Sequence, residues 1–191
     1  TNSNDFSGRA KSTGWAGNIG FTYKVDQQLT IGGTYHAKTR LGDMTTDSNA
    51  RLRMLTGGFG DVTMTGKVTI KDFQWPETYG IGMSYQATDA WQIVADYKRI
   101  NWASVMKNFK MTFELAGNAG GFAAFNGQTI DVDYYQNWKN QNVFMIGASY
   151  KATDKITVRF GGNFANNPVP DANLSPLFPA IVKNHYTLGG G

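Results

Sequence analysis

At 191 residues, with 41% hydrophobic content, a formal charge of +4 and no cysteine, the chain is long enough for one domain with a sizeable buried area. It has no run of about 18 apolar residues, which excludes a transmembrane helix but not a β-barrel, whose signal is alternation. The missing cysteines exclude a disulfide framework and thiolate metal sites, and the scattered Lys and Arg residues argue against a nucleic-acid footprint.

The first element runs over Thr13–Lys24, where Trp15, Ile19, Phe21 and Tyr23 oppose Asn18, Gly20 and Thr22. Side chains two apart share one face of a strand, so this pattern predicts a half-exposed strand. A short connection through Asp26 leads into Leu29–Thr39, in which Leu29, Ile31, Tyr35 and Ala37 oppose Thr30, Thr34, His36 and Lys38. The next connection is long, from Thr39 to Glu77. Strands then follow over Thr78–Gln86 and Trp91–Trp102, joined by a short turn at Asp89. Lys107 to Glu114 also alternates, and reads as a strand extending beyond the membrane before a soft tip, Ala116–Phe122. The second long connection closes at Val143. Asn142–Tyr150 and Ile156–Phe164 flank a third short turn at Asp154, and a last strand opens at His185.

The three short turns repeat one pattern. Asn18–Tyr23, Gly80–Tyr85 and Met145–Tyr150 each lead through a few residues that include an aspartate into another alternating run, as in β-hairpins. Tyr23, Tyr85, Trp91 and Tyr150 stand beside these turns, while Trp102 and Phe164 lie at the far strand ends. Two aromatic bands around an aliphatic stretch, with short turns on one side and long loops on the other, are the habit of outer-membrane barrels. The expectation is an all-β chain: an antiparallel transmembrane β-barrel in a bacterial outer membrane, with the short turns periplasmic. A soluble β-sandwich or lipocalin-like barrel would alternate as well. Seven strands is an odd number, the last is too short to span, and an open sheet edge in lipid is prohibitive. The start lacks a charged segment followed by an apolar one. The chain therefore reads as a single barrel segment, residues 1–191, from a longer or processed protein.

The loop Asn166-Asn167-Pro168-Val169-Pro170-Asp171, then Leu174-Ser175-Pro176-Leu177-Phe178-Pro179-Ala180 and His185-Tyr186-Thr187, closely resembles the late extracellular loop of the FadL/TodX family of outer-membrane transporters of long-chain fatty acids and aromatic hydrocarbons. Asp96–Trp102 and Trp75–Gly82 look like that family too, and the resemblance runs from about Gly14 to Thr187. It implies a 14-stranded barrel plugged by an N-terminal hatch, of which these seven strands look like the sixth to the twelfth, without the hatch or the final strands. It also implies capture of a hydrophobic substrate in an outer groove, passage to a site inside the barrel, and sideways exit through a gap in the wall.

Within the first long loop, Arg51 and Arg53 flank Leu52, Met54, Leu55 and Phe59. This set suits an amphipathic ligand, with its tail on the apolar residues and a carboxylate at an arginine; alternatively it pins the loop as a small satellite core. Met106, Phe109, Met111 and Phe113 in the second loop suit either a groove wall or a barrel extension. His36, Lys38, Asp96, Lys98 and Arg159 fall on the polar, lumen-facing side, as solvated or paired charges that hold a plug. Gly32, Gly80, Gly82 and Gly161 share that side, leaving space for a hatch or ligand, or merely allowing strand curvature and close packing. The two histidines, His36 and His185, lie on separate strands with no Ser-centred or metal-ligand spacing, so no catalytic residue, metal site or cofactor is expected. The reading is a channel taking up a fatty acid or aromatic hydrocarbon by passive diffusion through a plugged barrel, in contact with outer-membrane lipid and lipopolysaccharide, and monomeric at full length. Alternatives are a structural or adhesive barrel whose long loops bind partners, and a lipase-like outer-membrane enzyme.

Overall fold

A computed structural model describes residues 10–47, 50–55, 61–174 and 182–191, the side chains of 52–55 and 61–62 excepted. In chain order its strands are β1 Gly14–Trp15, β2 Asn18–Lys24, β3 Leu29–His36, β4 Arg40–Leu41, β5 Met44–Thr45, β6 Ala50–Leu55, β7 Asp61–Lys71, β8 Thr78–Gln86, β9 Trp91–Ile100, β10 Asn108–Leu115, β11 Thr129–Tyr135, β12 Gln141–Lys151, β13 Thr157–Ala165 and β14 Asn184–Gly190. Three short 3-10 segments are the only helices among the described residues. The chain forms two compact units: Thr1–Trp15 with Arg40–Gln74 and Asn108–Tyr135, and Ala16–Thr39 with Trp75–Lys107 and Gln136–Gly191.

The second unit is a seven-stranded sheet in the order β14-β13-β12-β9-β8-β3-β2, antiparallel throughout. These are the seven strands the alternation predicts. The burial pattern has the sign of a membrane protein. Along β8, Tyr79, Ile81, Met83 and Tyr85 are exposed, while Thr78, Gly80, Gly82, Ser84 and Gln86 between them are half-buried. Ile19 is 72% exposed, Ile81 61% and Phe144 57%. A contiguous apolar face of this extent far exceeds what a water-facing surface carries. Lipid is the solvent that suits it, because there the outward positions are the apolar ones.

Aromatic rings bracket that face. Beside the short turns, Trp91 stacks on Tyr150 at 4.6 Å and meets Phe160 edge-on at 6.3 Å. At the other end, Tyr35 and Tyr79 pair at 5.2 Å, Tyr97 and Phe144 at 5.0 Å, and Phe164 and Tyr186 at 5.8 Å. Tyr79 and Tyr85 are six residues apart, or about 20 Å along a strand, so the two bands hold the aliphatic stretch between them.

The turns share one geometry, though not the alignment suggested by their aspartates. The amides of Val25, Ala87 and Ala152 donate to the carbonyls of Leu29, Trp91 and Ile156 at 2.9 Å in each case. The capping side chain is the next residue. Asp26 accepts from the amides of Gln28 and Leu29, Thr88 from Ala90 and Trp91, and Thr153 from Lys155. Asp26 therefore corresponds to Thr88 and Thr153, and Asp89 and Asp154 stand one place later. Both residue types supply a short side-chain oxygen that bonds the backbone two or three residues on.

Strand limits differ from expectation at the long-loop ends. The first strand is broken at Ala16-Gly17, and Gly14–Trp15 pairs instead with Arg40–Leu41. β9 stops at Ile100, where the chain enters the 3-10 turn Trp102–Ser104. Beside this turn Met106 and Trp138 are buried, the Trp138 amide donates to the Met106 carbonyl at 3.0 Å, and Trp102 packs between Trp75 (6.1 Å) and Trp138 (5.1 Å). Pro168 accepts from the Lys139 amide at 2.8 Å, so the Pro-Val-Pro segment is tied in by its backbone.

The first unit occupies most of two long connections. β10 does not extend β9 but lies between β7 and β11, with β5 and β6 on the far side of β7. Alternation makes a strand legible without saying which partners it joins. Ala50, Met64, Phe113 and Leu115 form the core of this unit, with Val68 and Ile130 packed on it. Its tip, expected to be soft, is clamped: the Asn118 side chain accepts from the Thr65 amide (2.8 Å) and donates to the Thr65 carbonyl (2.9 Å), and Asn126 bonds both backbone groups of Asn118. Asp131 receives hydrogen bonds from Thr112 and Lys71, which hold its carboxyl below the usual range, the threonine hydroxyl contributing most.

Candidate functional site

The polar face of the seven-stranded sheet is the candidate transport surface. Alternation sends every second residue of β2, β3, β8 and β9 to it, and these line a concavity of about 470 Å³. Among the predicted lumen residues, His36, Asp96 and Lys98 all lie on this lining, between the hydroxyls of Thr22, Thr34 and Ser84. Arg159 lines a second concavity, of about 420 Å³, with Gln92, Ser149 and Thr187. Lys38 is exposed beyond the end of β3 and borders neither. The predicted five are thus not one cluster.

The inward glycines serve close packing. A Cβ on Gly82 would collide with the carboxylate of Asp96, one on Gly80 would lie 2.8 Å from Thr34 Oγ1, and one on Gly147 3.1 Å from Val94 Cγ2. Neighbouring side chains lie down over these positions, as cross-strand side chains do over glycines in curved sheets.

The proposed capture residues sit on a strand rather than in a loop. β6 pairs with β7 so that Arg51 opposes Thr65, Leu52 opposes Met64, Arg53 opposes Thr63 and Met54 opposes Val62. Ala50 is buried against Met64 while Arg51 is exposed, so successive positions here go to opposite faces. The side chains of Leu52, Arg53, Met54 and Leu55, and all of Phe59, lie outside the described residues, as does Ser175–Ile181 of the proline-rich loop.

A polar band on the apolar face, at its long-loop end, escaped the sequence reading. Glu77 accepts from Asn101 Nδ2 at 2.8 Å and from the Tyr35 hydroxyl at 3.3 Å. Bonding to Asn101 above all holds its carboxyl below the usual range, with the Tyr79 and Tyr35 hydroxyls and the charge of Lys38 adding to it. The available signal was Arg99: it shares parity with Trp91, Ile93, Ala95 and Tyr97, so alternation already places its charge on the apolar face.

Among the described residues no group of three or more His, Cys, Asp or Glu has metal-binding geometry. The arrangement offers one polar wall and one apolar wall.

A family model described as "Outer membrane protein transport protein (OMPP1/FadL/TodX)" matches residues 1–191. Outer membrane protein P1 of Haemophilus influenzae is 26% identical over 178 residues, covering 92% of this chain and 33% of the relative. The crystal structure of the Pseudomonas putida toluene transporter TodX superposes with a TM-score of 0.73 at 29% identity, over 94% of this chain and 40% of that one. The toluene transporter TbuX of Ralstonia pickettii does so at 0.67 and 33% identity, over 82% and 36%. The chain thus spans about a third of the curated relative and about two-fifths of the solved transporters.

Proposed function

The chain belongs to the OMPP1/FadL/TodX family of outer membrane transport proteins, and from that premise we propose that its protein takes up aromatic hydrocarbons or long-chain fatty acids by passive diffusion through a plugged barrel. The family and the solved neighbours are transporters and channels rather than enzymes, and the setting is the bacterial outer membrane. The observation that carries the proposal is the two-faced sheet, with an exposed apolar face bracketed by aromatic rings and a polar face lining a concavity. Such a wall keeps a barrel in lipid while leaving its interior wet. Two of the solved neighbours are toluene transporters, which puts aromatic hydrocarbons first among substrates to test.

In this reading His36, Lys38, Asp96, Lys98 and Arg159 are solvated or paired lumen charges that hold a plug, Lys38 from beyond the end of β3. Arg51, Leu52, Arg53, Met54, Leu55 and Phe59 form an outer capture element. The working unit is a monomeric barrel whose outer wall meets membrane lipid and lipopolysaccharide. The test is flux of labelled toluene and of a labelled fatty acid into liposomes carrying the full-length protein. Flux no greater than in empty liposomes refutes transport. Leu52→Asp combined with Met54→Asp should lower flux while the barrel still assembles; unchanged flux refutes the capture role.

A further inference from the structure

At their long-loop ends, four neighbouring strands align one row of side chains on the apolar face. Tyr35 is the register partner of Tyr79, Tyr79 of Arg99, and Arg99 of Asn142, so the row crosses β3, β8, β9 and β12. With strands about 4.8 Å apart, it is about 14 Å wide. Beneath it, Ile81, Phe144 and Ile146 are exposed.

Arg99 is half-buried. Its Nε donates to Asn101 Oδ1 at 3.1 Å and its Nη1 to Asn142 Oδ1 at 3.2 Å. Both acceptors are neutral amides. Among the described residues Arg99 forms no ion pair, and Glu77, the carboxylate of this band, is engaged by Asn101 and Tyr35. The guanidinium therefore keeps its full charge and part of its donor fork in a partly desolvated place, where an unmatched cation is costly and an anion is favoured. Tyr97 donates to Asn142 Oδ1 at 2.8 Å, which fixes that amide.

The opposite end of the same face differs. Its outward positions are Tyr23, Leu29, Tyr85, Trp91, Tyr150 and Val158, none of them charged. One end of the lipid-facing wall thus carries a guanidinium with no direct carboxylate partner, Glu77 reaching it only through Asn101, and the other end carries no charge.

We propose that the row Tyr35–Tyr79–Arg99–Asn142 binds the phosphorylated headgroup of an outer-leaflet glycolipid. Arg99 meets a phosphate oxygen, the tyrosine hydroxyls and Asn142 meet sugar hydroxyls, and the acyl chains run down over Ile81, Phe144 and Ile146. The assignment rests on the outer-membrane reading, which puts the long loops outside.

The experiment incubates full-length protein in detergent with bis-phosphorylated lipid A, or with the same lipid stripped of phosphate, and reads retained lipid by native mass spectrometry. Wild type should retain the phosphorylated form. Arg99→Gln should lower retention about tenfold, as loss of a charge-assisted bond implies, Arg99→Lys should restore part of it, and Lys155→Gln at the third short turn should change nothing. Equal retention by wild type and Arg99→Gln overturns the proposal, and so does equal retention of the two lipids by wild type, a comparison that needs no variant to fold. Loss of toluene flux with lipid retention intact would instead count against the transport reading alone.

Discussion

Replacing Ile81 by arginine tests which face of the sheet meets lipid. Ile81 is 61% exposed. In β8 it lies two residues from Tyr79, hence within about 4 Å of the midpoint between the two aromatic bands at 3.4 Å per residue. An arginine on the lipid face near the bilayer midplane costs about 2–4 kcal/mol, roughly 30-fold to nearly 1,000-fold in the folding equilibrium. On a water-facing surface, the same change at an exposed position stays within about 0.5 kcal/mol. Val94 provides the matched control: it stands midway between Trp91 and Tyr97 but lines the concavity, so Val94→Arg should cost under about 1 kcal/mol. The assay is equilibrium urea unfolding of the full-length protein in phospholipid vesicles, followed by tryptophan fluorescence and heat-modifiable gel mobility. A neutral Ile81→Arg, or a Val94→Arg that costs as much, refutes the assignment of faces.

The turn caps give a second expectation: Thr88→Ala should lower stability by about 1 kcal/mol through its lost side-chain acceptor, while Thr88→Ser keeps most of it, both read by the same unfolding assay. Asn118→Ala should release the clamp between the second long loop and Thr65, so limited proteolysis should cut between Ala116 and Gln128 several times faster than in wild type; an unchanged rate would refute the clamp. Glu77 predicts a pH dependence. Because its carboxyl is held below the ordinary value of about 4.3, the stability it confers is present above that pH and is lost as the pH falls through the lowered value. The urea midpoint should therefore drop on acidification below about pH 4 in wild type and less steeply in Glu77→Gln.

The seven strands were legible because a wall with lipid on one side and water on the other imposes period two on every segment that crosses it. Tyr79, Ile81, Met83 and Tyr85 alternating with glycines and Ser84 mark a strand, and the aromatic bands and unequal loops mark the membrane. The first unit was less legible. Asn108–Leu115 alternates too, but nothing in its pattern states that it pairs with Asp61–Lys71 rather than continuing Trp91–Ile100. The charge of Asp96 and Lys98 on the polar face could be read from parity alone, whereas the separation of Lys38 and Arg159 from them depends on where β3 ends and on how far apart the strands lie in the sheet. Arg99 was hidden by its surroundings: in the run Asp96-Tyr97-Lys98-Arg99 it looks like one more solvated charge until parity is followed to the strand end.

The sheet order separates two kinds of seam. β2–β3, β8–β9 and β12–β13 close across the short turns, whereas β3–β8 and β9–β12 close across connections of residues 37–77 and 101–140. A tenfold longer loop costs about 2 kcal/mol more entropy to close, and local hairpins form in microseconds. The three hairpins are thus prefabricated staves, each with its register set by its own turn before it has neighbours. Assembly of the wall is then limited by joining staves, and the side chains that decide when a join is complete are those straddling it: Tyr35 with Tyr79 on one seam, Arg99 with Asn142 on the other.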